Sequence, residues 1–421
     1  MQADLTESVQ ASIRPGDMVD TFYYGETNIE KQAYPCIVNN RFVQNFTNTG
    51  AGSSQFVISP QQGVSDIVLQ FTMPTITTTT GLTLSAGWGY SLINRVSVRY
   101  GSSAQYFWSG PQMLLQNLID AENSQKCADL MTSAGVYASG ASCSGAQANV
   151  YLKLPHNSCR AEGKPLPFAS DTLVQPIVVT VELLAASSVF ILATGGGSLA
   201  TAPTSLAAAQ LQVRQEMLTD TSDLLARRVD MNSHAYTFPL MYFAQQETQI
   251  PLVVQSTSTP QSVNLTGFRA GEVKSIVLWL TNNATYVPGS GSYNPQNFVA
   301  PSNVTLTYNG EVFARYDNSA GGLWNLVCDS KSATVSWAAA LSTNAPGTSA
   351  TLISSWLDCP FSQVSLPYDK ETKLIHGKPI LNAVVNVQLL APQDSNTYTL
   401  HAMYLYNASL LCSRGSSEYI F

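Results

Sequence analysis

INRVSVRYG at residues 93–101 and NVTLTYNG at residues 303–310 decide the reading of this chain. Each alternates apolar and polar residues and then runs into a glycine. Alternation of that kind places one set of side chains on one face of an extended strand, because strand side chains repeat every two residues. The glycine then turns the chain. Val96 and Val304 hold matching places in the two stretches. A second pair of polar-apolar strands follows, LQVRQEML at 211–218 and TLHAMYLYNASL at 399–410. The chain therefore reads as two β modules of similar size and grammar. Such duplication suits a geometric task better than a catalytic one.

Outward from these anchors, the first half carries expected strands at 34–46, 55–59, 64–73, 90–100, 149–154 and 173–184. The strand VSDIVLQFTM stops at Pro74. PQMLLQNLIDAENSQKCADLM at 111–131 is the one convincing helix, with Pro111 at its start and Met113, Leu114, Leu118 and Ile119 sharing a face. Residues 132–148 read as a polar loop, 155–171 as turns, 193–210 as an exposed loop and 219–228 as a short connecting helix. The second half carries expected strands at 235–243, 249–255, 261–268, 274–280, 303–308, 350–359, 383–390 and 398–410. A Gly/Pro/Asn-rich excursion fills 281–301, and 311–347 reads as loops with a short helix near 332–341. About eight strands per half fit an all-β fold of two tandem eight-stranded jelly rolls, each burying alternate side chains between facing sheets. The expected division is an N-terminal arm at 1–30, a first roll with its connector at 31–228 and a second roll at 229–421.

The chain has 421 residues, enough for two cores. Charged residues make up 11% of it, well below the ~25% of ordinary soluble domains. With 20 Lys+Arg against 27 Asp+Glu, the formal charge is −7. Polar surface then falls to Ser, Thr, Asn and Gln, which are cheaper to dry than charges when subunits meet. This leans toward an assembly. No basic run is dense enough to imply nucleic-acid binding. The seven cysteines show no C-x-x-C spacing, so no zinc knuckle or redox pair is indicated. The N-terminal stretch has no apolar signal core. VVTVELLAASSVFILATGGG at 178–197 is apolar enough to mimic a membrane span, but Glu182, its β-branched residues and the inserted AASS suit a strand, a bend and a second strand.

Residues for chemistry are sparse. The four histidines, His156, His234, His376 and His401, show no metal-ligand spacing, and His401 falls on a strand as a structural residue. No G-x-S-x-G elbow, P-loop or H-E-x-x-H occurs. Gly195-Gly196-Gly197 reads as loop. Asp66 lies in a strand and Asp223 near a helix start, where it would cap. Trp88, Trp108, Trp279, Trp324, Trp337 and Trp356 are scattered and suit core or interface filling over sugar stacking. The N-x-[ST] matches at Asn45, Asn264, Asn283, Asn303 and Asn407 fit chance in a chain this rich in Asn, Ser and Thr. No catalytic, cofactor-binding or metal residue is expected.

The order of segments resembles the double jelly-roll major capsid proteins of icosahedral double-stranded DNA viruses, of the nucleocytoplasmic large DNA virus type. The resemblance rests on GVSDIVLQFTMP at 63–74, GYSLINRVSVRYGSSAQYFWSGPQMLL at 89–115, and the proline turns and strand of 150–183. It continues through LQVRQEMLTDTSDLLARR at 211–228, VNLTGFRAGEVKSIVLWL at 263–280, GKPILNAVVNVQLL at 377–390 and YTLHAMYLYNASLLCSRG at 398–415. Ala226-Arg227-Arg228 and Arg269-Ala270-Gly271 depart from the family pattern, which marks a divergent relative. The resemblance implies a homotrimer that imitates a hexagon, with no enzyme activity and no cofactor. It implies contacts with neighbouring capsomers and minor capsid or penton proteins, residence in the virion, and an arm at 1–30 toward the interior, near an internal membrane. It also implies that the excursions at 132–148, 193–210, 281–301 and 317–349 form exposed or inter-subunit surface. Three alternatives remain at this level: a two-domain carbohydrate-binding or adhesion protein, an all-β glycoside hydrolase with two converging carboxylates, and a minor capsid protein of the penton or cement kind.

Overall fold

The computed structural model describes residues 37–58, 63–74, 82–85, 87–103, 105–120, 129–130, 133–135, 149–155, 176–192, 202–218, 235–250, 260–266, 272–295, 298–299, 301–316, 357–360, 378–379, 384–390, 396–413 and 416–420. The arm at 1–30, the proposed helices at 219–228 and 332–341, and Asp223, His156, His234 and His376 lie outside them.

The first sandwich pairs two four-stranded sheets. One holds β1 (Ile37–Asn45), β3 (Gly63–Thr72), β7 (Asn149–Lys153) and β10 (Ala208–Leu218) in the order β1-β10-β3-β7. The other holds β2 (Gly52–Ile58), β5 (Ile93–Tyr100), β6 (Tyr106–Trp108) and β8 (Ile177–Leu183) in the order β2-β8-β5-β6. A small ribbon of β4 (Leu82–Leu84) and β9 (Phe190–Leu192) stands apart. The second sandwich holds β11 (Ala235–Ile250), β13 (Glu272–Asn282), β16 (Leu357–Pro360) and β19 (Tyr398–Ser413) in the order β11-β19-β13-β16, with β17 (Lys378–Pro379) and β20 (Ser416–Ile420) attached. Facing it are β12 (Gln261–Leu265), β14 (Ser302–Tyr308), β15 (Glu311–Tyr316) and β18 (Val385–Leu390) in the order β12-β18-β14-β15.

Counted along the chain without the short accessory strands, both sandwiches have the orders 1-8-3-6 and 2-7-4-5. This is the jelly roll, twice. INRVSVRYG and NVTLTYNG fall on β5 and β14, the fourth strand of each roll. The second pair of stretches falls on β10 and β19, the eighth strand of each. The repeated grammar is therefore topological equivalence.

Alternation explains the first core. Ile67, Leu69 and Phe71 of β3 point inward at 0% exposure, while Asp66, Val68, Gln70 and Thr72 are only half-buried. Phe46, Phe56 and Phe71 meet edge-to-face at 4.7 and 5.7 Å and tie one sheet to the other. Each such ring buries enough area for about 2–3 kcal/mol, plus roughly 0.5–1.5 kcal/mol for the edge contacts.

All described ladders are antiparallel, so strand directions alternate along each roll. The connections after strands one, three, five and seven of a roll therefore gather at one end. The starts of β1 and β11 and the ends of β10 and β19 gather at the other.

Several expectations need correction. The chain at Trp88–Ser91 forms one helical turn, α1, before β5 begins at Ile93. All four of its residues are buried, so this turn is a plug, not the start of a strand. The main helix, α2, runs Gly110–Asp120; residues 121–128 are not described. Residues 235–243 and 249–255 were expected as two strands, but Ala235–Ile250 is continuous because all sixteen residues pair with β19. As an edge strand it tolerates the polar Gln245–Thr248 segment. Residues 311–316 are a strand, not a loop. Asn309 (φ 51°) and Gly310 (φ 86°) make a two-residue turn whose twist returns the chain as β15. The strand expected at 350–359 is Leu357–Pro360 within the described residues. The expected exposed loop at 193–210 instead buries Ala202, Leu206 and Ala209, and β10 already begins at Ala208. The apolar run at 178–197 resolves as β8, a 3-10 turn at Ala186–Val189 and β9. No described helix is long and apolar enough to cross a membrane.

Candidate assembly surfaces

The two rolls meet through a buried joint. Helix α2 follows β6 and has Met113, Leu114, Leu115 and Leu118 all at 0% exposure. Gln112, Gln116 and Asn117 on its other side are buried too, so the helix is covered all round. The partners of Gln116 show why. Gln116 Oε1 accepts from Trp108 Nε1 at 2.8 Å, and Gln116 Nε2 lies 3.6 Å from Met403 Sδ on β19. One amide thus links the end of the first roll's fifth strand to the second roll's eighth. Asn117 donates to the Tyr90 hydroxyl at 2.9 Å and to the Lys153 carbonyl at 2.7 Å, locking α2 to α1 and β7. Burial pushes the Tyr90 phenol well above its ordinary value, an effect opposed by the Asn117 bond and by the backbone at Lys153.

The second roll receives this joint on a doubly covered sheet. Residues 276–281 of β13 and 398–404 of β19 are buried without interruption. Such unbroken burial marks a sheet packed on both faces. Val277, Trp279 and Thr281 lie opposite Met403, His401 and Thr399 and share the face turned to the first roll. Tyr404, on the opposite face, donates to the Thr266 carbonyl beside β12 at 3.2 Å, so that face looks into the sandwich. Burial likewise raises the Tyr404 phenol, with Tyr406 adding to it.

His401 sits where a strand histidine was expected, and its role is packing. It is 1% exposed, stacks on Trp279 at 5.1 Å between centroids, and lies 2.7 Å from Thr281 Oγ1 through Nε2. Phe298 closes against Trp279 at 6.1 Å from the 281–301 excursion. That excursion also clamps the rolls at the loop end: Leu192 N–H donates to the Gly291 carbonyl at 2.8 Å, and Gly289 N–H to Ser188 at 3.3 Å. The excursion was expected to be exposed or inter-subunit; part of it is instead the bond between the two rolls of one chain.

Two outward faces are amide-rich. On the second roll, Asn386 Nδ2 donates to Ser262 Oγ and Asn264 Oδ1, both at 2.8 Å. On the first, Gln212 donates to Gln70 at 2.5 Å and Gln210 to Asn45 at 3.0 Å. Asp66 stands beside them with Lys153 at 3.4 Å and Arg214 at 3.8 Å. Trp88, Trp108 and Trp279 are all at 1% exposure, and Trp324, Trp337 and Trp356 lie outside the described residues. Among the described residues no group of three His, Cys, Asp or Glu could hold a metal ion. The joint residue that sequence reasoning missed is Gln116. Its only local signal was a polar side chain among Leu114, Leu115 and Leu118.

No protein-family description matches the chain, and no curated protein does. Solved structures do. The chain is similar to VP54 of PBCV-1, as fitted into a reconstruction of the Sputnik virophage, with a TM-score of 0.65 and 12% identity over 91% of this chain and 97% of that one. It is similar to the Faustovirus major capsid protein, with a TM-score of 0.57 and 11% identity over 98% and 99% of the two chains. A chain of the Sputnik virophage gives 0.57 and 11% over 91% and 88%. At these identities the shared property is the fold, the tandem jelly roll of major capsid proteins.

Proposed function

We propose that the chain is a major capsid protein of an icosahedral double-stranded DNA virus, a structural and not a catalytic molecule, resident in the virion. The observation that carries this reading is the exact repetition of the 1-8-3-6 and 2-7-4-5 orders in two rolls held together by a dry joint. Three such chains supply six near-equivalent rolls, so a trimer tiles a shell as a hexagon would. A head-to-tail contact between copies makes a closed ring when its rotation closes, here after three copies. The trimer meets neighbouring capsomers and minor capsid or penton proteins at its edges.

The ladders support a division into two rolls: every described ladder joins strands within Ile37–Leu218 or within Ala235–Ile420. The reading is an arm at 1–30, a first roll at 31–228 and a second at 229–421. Strand direction supports placing the arm toward the particle interior and any internal membrane, because each roll begins and ends at the end opposite the connections after its third and fifth strands. The three described tryptophans are buried, which removes them as sugar-stacking platforms and disfavours the carbohydrate-binding alternative. The test is the mass of the purified protein by light scattering, followed by imaging of particles. Three chains per capsomer in a hexagonal lattice is the expected result. A monomer at every concentration, with no density for the chain in the shell, would overturn it.

A further inference from the structure

The second roll reaches further than the first at the end where each roll begins and finishes. β13 pairs with β19 as far as Glu272 and Asn407, and β19 runs on to Ser413. Beyond that level β20 takes the place of β13. Ser409–Ser413 pair with Ala235–Pro239 of β11 on one side and with Ser416–Ile420 on the other. The first roll has no such third strand among the described ladders: β10 passes the start of β3 by Met217 and Leu218 only, which pair with β1. The sheet facing β19 has already ended here. Its strands stop at one level, at Leu265, Tyr308, Glu311 and Val385, and Tyr404 of β19 meets Thr266 beside it. The ribbon β11-β19-β20 therefore projects as a single layer, starting roughly 17 Å past Tyr404 at Ser409.

Among the described residues the outer edge of β20 has no partner strand. Alternate residues there turn their N–H and C=O outward. Such an edge is a template for an added strand. A second copy of β20 is a poor occupant. Glu418 is exposed and is the middle residue of the strand, so antiparallel self-pairing about that centre sets one Glu418 against another. The edge calls instead for an alternating segment that carries a cation. We infer that the occupant is Val9–Arg14 of the chain's own arm, added as a strand beside β20. VQASIR alternates Val9, Ala11 and Ile13 with Gln10, Ser12 and Arg14, the pattern of a strand with one apolar face. Pro15 favours extended backbone at Arg14 and, lacking an N–H, ends the pairing. Arg14 and Lys31 are the cations of residues 1–36, and a long Arg side chain reaches a carboxylate directly opposite or diagonal to it. The described chain begins at Ile37, at the same end as the ribbon. Residues 15–36 can span up to about 70 Å when extended, several times the ~10 Å between packed sheets. The added strand closes the edge and fixes the arm at that end of the second roll. This pairing lies within one chain and stands apart from the trimeric reading.

The test is hydrogen exchange of the full chain, read by mass spectrometry on the peptide carrying Ser416–Ile420, against a variant lacking residues 2–14. The peptide carrying Ile67, Leu69 and Phe71 of β3, buried in the first core, reports folding. The expected result is exchange at β20 about tenfold faster in the truncated protein with β3 unchanged, and protection regained on adding a synthetic peptide of residues 7–15. R14E should speed exchange at β20 likewise, and R14E/E418R should restore protection. If the truncated protein fails to fold, A11P, which removes one N–H from the added strand, decides by the same readout. Equal exchange at β20 with and without residues 2–14 overturns the pairing, whatever the mass of the assembly. Protection that grows with protein concentration assigns the edge to another copy and overturns pairing within one chain.

Discussion

Replacing Gly110 by alanine should unseat the joint between the rolls. Gly110 opens α2, and a Cβ built there would lie 1.8 Å from the Tyr90 carbonyl oxygen and 2.9 Å from that of Ile93. Both obstacles are backbone, one in α1 and one at the start of β5, so no rotamer change relieves the clash. Either α2 moves outward or the α1 turn does. Outward motion withdraws Gln116 from Met403 and opens the packing of Met113, Leu114 and Leu118. Overpacking of a tight core costs about 1–3 kcal/mol, and the rigidity of both obstacles puts G110A at the top of that range. For a unit of this size, about 3 kcal/mol lowers Tm by roughly 6–12 °C. G310A is the control. Its φ is +86° and no atom lies within 4 Å of its Cβ, so its cost is conformational, about 1–2 kcal/mol. Calorimetry on the two variants, with light scattering for assembly, separates the effects. G110A should lose both heat stability and trimer; G310A should lose a little of the first only. A G110A protein within about 1 kcal/mol of the parent, assembling normally, would refute the claim that close backbone approach requires glycine there.

Gln116→Leu leaves the buried Trp108 N–H without its acceptor and should cost about 1–3 kcal/mol, measured by denaturant unfolding; restoration by Gln116→Glu at low pH, where the neutral carboxyl still accepts that N–H without burying a charge, would tie the loss to that bond. Thr281→Val removes the hydroxyl beside His401 Nε2 and should cost a similar ~1–3 kcal/mol, whereas Asp66→Ala, with partly exposed ion pairs only, should cost under about 1 kcal/mol. Alkaline stability follows Tyr90, Tyr293 and Tyr404, whose phenols burial raises above the ordinary value. The folded state then holds these protons more tightly than the unfolded chain. Their contribution is intact below the unfolded value of about 10 and is lost as pH rises above it, by up to ~1.4 kcal/mol per unit for each group. Phenolate absorbance should rise together with unfolding; a rise of three phenolates in a still-folded protein would contradict the burial.

Local pattern carried much of the fold. The alternation in VSDIVLQFTM, INRVSVRYG and NVTLTYNG placed strands and their inward faces, since a period of two is a property of neighbouring residues. The AASS break in the apolar run at 178–197 located the bend between β8 and β9. The matching of Val96 with Val304 already contained the equivalence of β5 and β14. Short strands escaped: β6 has three residues, too few for a period, and β15 was hidden by its charges, although Asn309-Gly310 was the turn signal that could have exposed it.

Faces and joints lay beyond any local reading. SIVLWLTN is equally a strand covered on one side or on both, and only the approach of α2 and Phe298 makes it the latter. Gln116 and Met403 are separated by 287 positions, and nothing in either segment names the other. Sequence alone determined which residues alternate and where the chain turns, because steric and solvation preferences act between neighbours. Tertiary structure alone decided which sheet is dry on both faces and which is left open, because that depends on distant elements packing into the same volume.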